Sequence, residues 1–235
     1  MRVLPAICQK QPGDLLSLPC KGFMKQLVSC DALRDIPPNQ VLHSQGEIIH
    51  NGCFLCEGIV KISHLSPNGK RMIVTLRKGG WVPGIGSIVG KYPYPHTAET
   101  LTRCKVRSFS SEQFRQMMET DAKFATWVAH LLASAVYNGT QRLIQGSLLS
   151  GRERLERFLC ELFESMPRNC EQKEIKLQSM LKNFEIAQLL SLTPQHLARI
   201  IKQMEIEGIL IRQKGWIILK DLKKLKCHGA SEPSL

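Results

Sequence analysis

Hydrophobic and polar positions alternate along the first half of the chain in short runs that end at turn residues. Such runs occupy Val41–His43, residues 59–62 and residues 72–76, and glycine, proline or asparagine stands near their ends. Pro67-Asn68-Gly69, between two of the runs, is a typical hairpin signal. Many short strands with glycine-rich turns predict a β-sandwich or barrel, which we assign to residues 22–120.

The two ends of the chain show weaker patterns. Residues 1–21 contain three prolines and a glycine without clear periodicity, so we predict a loosely ordered leader. A short helical pattern runs from Gly22 to Leu33, before Pro37-Pro38-Asn39 turns the chain. Residues 227–235 are expected to form a tail.

After residue 110 the hydrophobic period becomes helical. Ser110 to Gln113 resembles a capping box, and Asp121 is a candidate cap for a long helix over residues 121–149. The apolar stripe of this helix contains Phe124, Val128, Leu131, Leu132, Ala135, Val136, Leu143 and Ile144. A long helix leaving a small β domain has little of its own chain to cover such a stripe. We therefore predict a homodimer through this helix, with packing on its own barrel as the alternative.

Residues 150–226 have the pattern of a small, mainly helical domain. Ser150 is expected to cap a helix whose apolar face has helical spacing. That face consists of Leu155, Phe158, Leu159, Leu162 and Phe163. The polar residues 168–174 predict a loop.

Two short helices follow, joined by a brief turn. Residues 181–190 predict the first helix, and Ser191-Leu192 predicts the turn. Thr193 is an N-cap for the second helix, and Pro194 is suited to its first position. Beyond Gly208, two apolar runs flank a basic hairpin tip. This order predicts a helix-turn-helix with a wing.

The polar face of the second helix suits duplex DNA. Glutamine can pair with adenine and arginine with guanine in the major groove, while lysines and helix N-termini contact phosphates. We therefore predict duplex DNA as a partner. The predicted contacts are Thr193, Gln195, His196, Arg199, Lys202, Gln203 and Lys214.

The formal net charge of +12 favours a polyanionic partner. However, residues 1–149 hold 17 basic and 9 acidic residues, against 15 and 11 in residues 150–235. The part with the helix-turn-helix pattern is not the more basic one, so charge adds little to the DNA prediction.

The stretch from Glu185 to Lys202, EIAQLLSLTPQHLARIIK, resembles the CRP/FNR regulators, named after the cyclic-AMP receptor protein. Gln45-Gly46-Glu47, Glu57-Gly58 and Asn68-Gly69-Lys70 support the resemblance, which covers residues 22–226. It implies an α+β fold: an N-terminal double-stranded β-helix (jelly-roll, cyclic-nucleotide-binding-like) sensor domain, a long dimerisation helix and a C-terminal winged helix-turn-helix. It also implies a homodimer on a palindromic operator, an effector that reorients the DNA-binding domains, and RNA polymerase as a candidate partner.

The positions with which the family reads bases correspond here to Pro194, Gln195 and Arg199. Arg199 keeps the common basic residue. Pro194 offers no side-chain donor, and Gln195 stands where glutamate is frequent. The resemblance therefore implies DNA binding at a half-site that differs from the usual one.

The family's cyclic-nucleotide cassette is altered. Its Gly-Glu pair, which holds the ribose, is replaced by Pro83-Gly84, and its Arg, which holds the phosphate, by the histidine of His96-Thr97-Ala98. Because a neutral histidine is a poor substitute for a guanidinium clamp, we do not expect cyclic AMP to bind. The effector pocket is expected along the segment from Trp81 to His96. Its candidate residues are Gly84, Ile85, His96 and Thr97.

The cysteines and histidines form no recognisable cofactor motif. The nine cysteines lack regular spacing and are expected to be thiols. Cys53 and Cys56, three apart on a strand, should face opposite sides. We predict no iron–sulfur cluster, haem or other metal site; a redox-sensing thiol and ligand-independent regulation stay open.

Other classes of protein fit less well. No nucleophile motif or cupin-type histidine set points to an enzyme. The absence of a long apolar run and of a signal-peptide core predicts a cytoplasmic protein without membrane contact. The alternative function is a redox- or small-molecule-binding sensor module whose helix-turn-helix serves only packing. That alternative predicts no salt-dependent affinity for DNA.

Overall fold

The computed structural model of the 235-residue chain describes residues 33–164, 175–178, 181–213, 216–220 and 225. The predicted leader, the helical pattern from Gly22 and the tail lie outside these residues. The described chain forms two compact units that divide between Thr140 and Gln141.

Two antiparallel sheets build the first unit. The three-stranded sheet has the order β1-β7-β3 and the four-stranded sheet the order β2-β6-β4-β5. The strands are β1 (Arg34–Ile36), β2 (Val41–His43), β3 (Asn51–Glu57), β4 (Ile59–Leu65), β5 (Arg71–Lys78), β6 (Thr97–Thr100) and β7 (Cys104–Ser110). This arrangement confirms the predicted β sensor fold.

Side chains from both sheets share one apolar core. Its buried members are Leu55, Val60, Ile62, Ala98, Cys104 and Val106. In β7, buried Cys104 and Val106 alternate with the more exposed Lys105 and Arg107, as the sequence period predicts. Strand β4 leads into β5 through Pro67-Asn68-Gly69, and Gly69 has the positive φ of 80° that this turn requires.

A short helix, α1 (Ile85–Gly90), lies within the segment from Trp81 to His96, for which the sequence predicts no helix. Its pattern is too brief for sequence recognition, and tertiary contacts stabilise it. Ile85 and Ile88 are buried in a second apolar cluster that includes Phe124, Trp127 and Leu131 of the long helix. The first half of the long helix is therefore anchored on its own β domain.

Helices α2 (Ser111–Thr120) and α3 (Ala122–Leu148) follow the last strand of this unit. Asp121 accepts hydrogen bonds from the backbone of Lys123 and Phe124, so it caps α3 as predicted. The capping box predicted at Ser110 is wrong, because that hydroxyl makes no cap hydrogen bond. The neighbouring Ser111 hydroxyl instead donates to the carbonyl of His50.

The predicted apolar stripe of α3 has two different environments. Phe124, Val128 and Leu131 are buried within the unit. Farther along the helix the apolar side chains face solvent, with Leu143 exposed by 73% and Leu148 by 77%. Packing on the β domain thus accounts for the first half of the stripe only.

The second unit combines helices with a small antiparallel sheet. The helices are α4 (Gly151–Glu164), α5 (Asn183–Leu189) and α6 (Pro194–Ile206), and the sheet order is β8-β10-β9. Its strands are β8 (Ile175–Gln178), β9 (Leu210–Gln213) and β10 (Trp216–Leu219). The sequence analysis does not predict β8, whose pairing with β10 is a long-range contact.

The helices of the second unit bury the apolar faces that their spacing predicts. The buried side chains are Leu155, Phe158, Leu159, Ile186, Ala187, Leu197, Ile200, Ile201 and Met204. Ser150 and Glu153 cap α4 reciprocally: each side chain accepts the other's backbone N–H. Among the described helices, none combines the length and apolar character needed to cross a membrane.

Candidate nucleic-acid interface and sensor site

Helices α5 and α6 are joined by a turn that the backbone closes tightly. The N–H of Leu192 donates to the carbonyl of Ala187 at 2.8 Å, and Ser191 adopts a positive φ of 53°. Ala187 is fully buried, so its small side chain allows the two helices to approach closely. The turn lies where the sequence predicts it.

The N-terminus of α6 is built as predicted. The Thr193 hydroxyl accepts a hydrogen bond from the backbone N–H of His196 at 3.1 Å, and Pro194 occupies the first turn. Gln195, Arg199 and Lys202 are exposed. The exposed face of α6 therefore carries Gln195 and Arg199, whose side chains are able to read bases, and the cation of Lys202.

Two other predicted DNA contacts have partners inside the unit. His196 is half-buried and lies toward α4, where a Cβ on Gly151 would come within 3.3 Å of its ring. Gln203 is exposed, but its side-chain amide donates to Glu207 at 3.0 Å. The structure thus does not group His196 with Gln195 on the exposed face.

Strands β9 and β10 form the predicted hairpin that follows α6, with Gln213 paired to Trp216. Lys214, at its predicted basic tip, lies outside the described residues. Arg212 ties the hairpin to the helices: its backbone N–H donates to Glu205 at 3.0 Å, and its guanidinium bonds the side chain of Asn183. The wing is therefore fixed to both helices of the motif.

An ion-pair network missed by the sequence analysis joins α4 to the end of α6. Arg152 donates to Glu156 at 2.9 Å and to Glu207 through both terminal nitrogens, at 2.7 and 2.5 Å. Hydrogen bonds to Glu207 and then to Glu156 raise the pKa of Arg152. No local pattern indicates this network, because Arg152 and Glu207 are 55 positions apart.

The four candidate effector residues of the first unit have different environments. Ile85 is buried in the apolar cluster against α3. The Thr97 hydroxyl accepts the backbone N–H of Gln45 at 3.1 Å. The His96 ring lies 5.9 Å from that of His64 in an edge-on arrangement. Gly84 lies directly against the ring of a buried aromatic residue.

The buried ring beside Gly84 is that of Tyr94. A Cβ on Gly84 would lie only 2.1 Å from this ring, which also stacks in parallel on His43 with centroids 3.7 Å apart. Tyr94 is 4% exposed, and its hydroxyl donates to the carbonyl of Asn51 at 3.4 Å. The sequence analysis marked the tyrosine-containing segment without recognising that its ring is buried.

Burial also keeps this aromatic pair uncharged. It lowers the pKa of His43 to about 4, with a smaller opposing effect from Glu47, and it raises the pKa of Tyr94. At neutral pH the position beside Gly84 thus holds a neutral imidazole on a protonated phenol.

The described cysteines do not form a metal site. Cys53 packs in the core between the sheets, whereas Cys56 packs toward the helices, as expected for opposite faces of a strand. Burial raises the pKa of the Cys53 thiol to about 12 and also raises the pKa values of Cys56 and Cys104. Thiols of this kind are poor nucleophiles at neutral pH.

Cys160 departs from the prediction that the cysteines are thiols. It is buried in α4 and is disulfide-bonded, with its partner outside the described residues. Spacing along the chain cannot reveal such a pairing, because it depends on the fold. Within the described part of the chain, no group of three or more potential metal ligands is present.

Family comparisons agree with this two-unit architecture. The family model of the cyclic nucleotide-binding domain matches residues 33–121, and that of the Crp-like helix-turn-helix domain matches residues 153–227. The chain belongs to the CRP/FNR family of regulators. As a CRP/FNR protein it is a transcription regulator with a DNA-binding helix-turn-helix, and not an enzyme.

Individual relatives are distant in sequence. The anaerobic regulatory protein of Pasteurella multocida is 21% identical over 82% of this CRP/FNR chain and 70% of its own. The structure of FixK2 from Bradyrhizobium japonicum has a TM-score of 0.69 at 18% identity and covers 83% of this chain and 96% of its own. The c-di-GMP-responsive global regulator CLP of Xanthomonas campestris reaches a TM-score of 0.75 at 15% identity, covering 86% and 99%.

Proposed function

We propose that this regulator acts as a homodimer that binds a palindromic operator. The observation that carries the proposal is the exposed apolar surface on the second half of α3. It consists of Val136, Tyr137, Leu143, Ile144 and Leu148. Contiguous exposed apolar side chains are typical of an interface, and a second copy of the helix would cover them.

Two glycines support close contact between the paired helices. A Cβ on Gly139 or on Gly146 would meet no atom within 4 Å, so both positions lie beside open space. A two-fold pair of chains would offer two copies of α6. Such pairs read half-sites about one helical turn apart, which explains a palindromic operator.

Within each half-site we assign base reading to Gln195 and Arg199. Both are exposed near the N-terminal half of α6, the part of a recognition helix that reaches base edges. Lys202, Thr193 and Lys214 are assigned to the phosphate backbone. We retain His196 and Gln203 only as residues that orient the helix, because His196 is half-buried beside the start of α4 and Gln203 is hydrogen-bonded to Glu207.

We infer that the sensor domain does not respond to cyclic AMP. The cassette lacks its carboxylate and guanidinium, and the ring of Tyr94 packs directly on Gly84. The effector is then another small molecule that acts on the segment from Trp81 to His96, or a redox signal that acts on a thiol elsewhere in the chain. A DNA-binding regulator of this kind would work in the cytoplasm and contact RNA polymerase.

Selection from a random duplex library tests the proposal, with wild-type protein and Arg199→Ala in parallel. We expect wild-type protein to enrich a palindrome. Loss of one arginine–base contact should weaken operator binding by about 1–3 kcal/mol and relax one base position in each half-site. Lys202→Ala is the matched control, because loss of a phosphate contact should weaken binding equally for all sequences and lower the salt dependence.

Two results would contradict the proposal. Enrichment of a single, non-repeated site would exclude the symmetric dimer as the reading unit. An unchanged base preference in Arg199→Ala would remove Arg199 from base reading. The selection is run in both reducing and aerobic buffer, because Cys160 is disulfide-bonded.

A further inference from the structure

The start of α4 contacts the recognition helix α6 at two separate places. At Gly151 there is no room for a side chain, since a Cβ would come within 2.8 Å of Leu192 and 3.2 Å of Ile200. One residue later, Arg152 reaches the opposite end of α6 and binds Glu207. The first turn of α4 therefore contacts the turn before α6, the middle of α6 and, through Arg152, its C-terminal end.

The contact with Glu207 has the geometry of a strong ion pair. The two terminal nitrogens of Arg152 bond the two carboxylate oxygens, while Nε bonds Glu156, whose side chain is almost fully buried. Bidentate, charge-assisted bonds of this kind fix orientation as well as distance. The positive charge of Arg152 also interacts favourably with the negative, C-terminal end of the α6 dipole.

The network continues to the exposed surface of α6. Glu207 accepts a third hydrogen bond, from the side-chain amide of Gln203, one turn earlier on the helix. The bonds thus lead from Arg152 through Glu207 to the polar side of the recognition helix. Arg152, Glu207 and Gln203 can therefore fix the orientation of α6 without contacting a base.

The network also begins close to the connection between α3 and α4. Helix α3 ends at Leu148, and the Ser150–Glu153 capping pair starts α4. Arg152 lies in this first turn. A movement of the connection between α3 and α4 would therefore displace the residue that binds Glu207 at the end of α6.

We propose that Arg152 is a positioning residue for DNA reading: it makes the first turn of α4 and the recognition helix move as one body. The inference rests on the proposed base reading by α6. It assigns operator selectivity to an ion pair outside the DNA-contacting face.

The test measures the affinity of the full-length protein for two duplexes by fluorescence anisotropy. One duplex carries the selected operator, and the other has the same length and composition in scrambled order. The variants are Arg152→Gln, Glu207→Gln and the double variant. Arg103→Gln is the control, since it removes an exposed arginine–carboxylate contact, with Asp35, in the first unit.

We expect Arg152→Gln to lower operator affinity about tenfold, in the range of coupled ion-pair networks, with less than a twofold change on the scrambled duplex. Glu207→Gln, nearly isosteric, should act in the same direction. It carries the test if circular dichroism shows that Arg152→Gln does not fold. The double variant should be no worse than the more severe single variant, and Arg103→Gln should match wild type.

A purely structural role predicts another outcome. Equal losses on both duplexes, or operator affinity within twofold of wild type in both single variants, would overturn the positioning role. Wild-type protein that binds the two duplexes equally would overturn the proposed base reading, and this inference with it.

Discussion

The recognition helix and the sensor cassette both correspond to ligand-binding positions of the same family, but their environments differ. Gln195 and Arg199 on α6 are exposed and face solvent. In the sensor, the glycine of the altered cassette is covered by Tyr94, which in turn stacks on His43. A shared fold can thus preserve the scaffold of two sites while the side chains at one of them become buried.

The physical difference lies in what each surface must bury. A helix that reads DNA keeps polar side chains hydrated until they meet base edges and phosphates. A sensor domain whose ligand groups are lost has a concave interior that an aromatic pair can fill, with a gain from burial and stacking. DNA binding and sensor stability should therefore respond to different variants.

The largest expected effect comes from the apolar half of α3. Leu143→Glu should place a charge in the proposed dimer contact and convert the protein to a monomer. Operator affinity should then fall about 10²–10⁴-fold, the usual contribution of a second linked binding site. Sedimentation velocity and anisotropy measure the two effects. Val41→Glu, at an exposed apolar position of β2, is the control. A Leu143→Glu protein that remains dimeric contradicts the assignment.

The next effect concerns the aromatic pair of the sensor. Tyr94→Ala should destabilise the first unit by about 3–5 kcal/mol, the usual cost of deleting a large buried ring. Tyr92→Ala removes a ring that is 70% exposed and should change the free energy of unfolding by less than about 0.5 kcal/mol. Urea denaturation compares the two variants. Equal stabilities would show that Tyr94 does not fill the site.

A smaller, pH-dependent effect should come from His43. Its pKa in the folded protein is about 4, against 6.5 for the free side chain, so the unfolded chain binds the extra proton first. The contribution of His43 to the free energy of unfolding is fully present above pH 6.5. It decreases as the pH falls from 6.5 toward 4, by at most about 1.4 kcal/mol for each pH unit. His43→Phe keeps the stack without titrating. An identical pH dependence of unfolding in wild type and variant would contradict the assignment.

The smallest expected effect is the loss of unfolding free energy when a helix cap is removed. It is tested at one cap position in each unit. Thr193→Ala removes the hydroxyl that accepts the N–H of His196 and should cost about 1 kcal/mol of unfolding free energy. Ser110→Ala is the matched control and should be nearly neutral, because the Ser110 hydroxyl makes no cap bond. Thermal melting of both variants measures the difference. A larger loss of unfolding free energy in Ser110→Ala than in Thr193→Ala would contradict the assignment of Thr193 as the cap.

The sequence alone determined the features that depend on neighbours a few positions apart. The caps at Asp121, Ser150 and Thr193 follow from side chains that reach their own helix, and the turn at Ser191-Leu192 follows from local chemistry. Helical spacing of apolar positions predicted that Leu155, Phe158 and Leu159 form part of the buried face of α4. These local patterns were enough to predict a β-sandwich or barrel and the helix-turn-helix, whereas the sensor domain was implied by the family resemblance.

Tertiary structure decided whatever joins distant positions. Arg152 meets Glu207 across 55 positions, β8 becomes a strand by pairing with β10, and α3 is buried only where the β domain covers it. No local pattern marks Tyr94 as buried, and its ring is covered by contacts with Gly84 and His43 that depend on the fold. The physical reason is common to these cases: a long-range contact depends on chain geometry, and neither partner carries a local signature of the other.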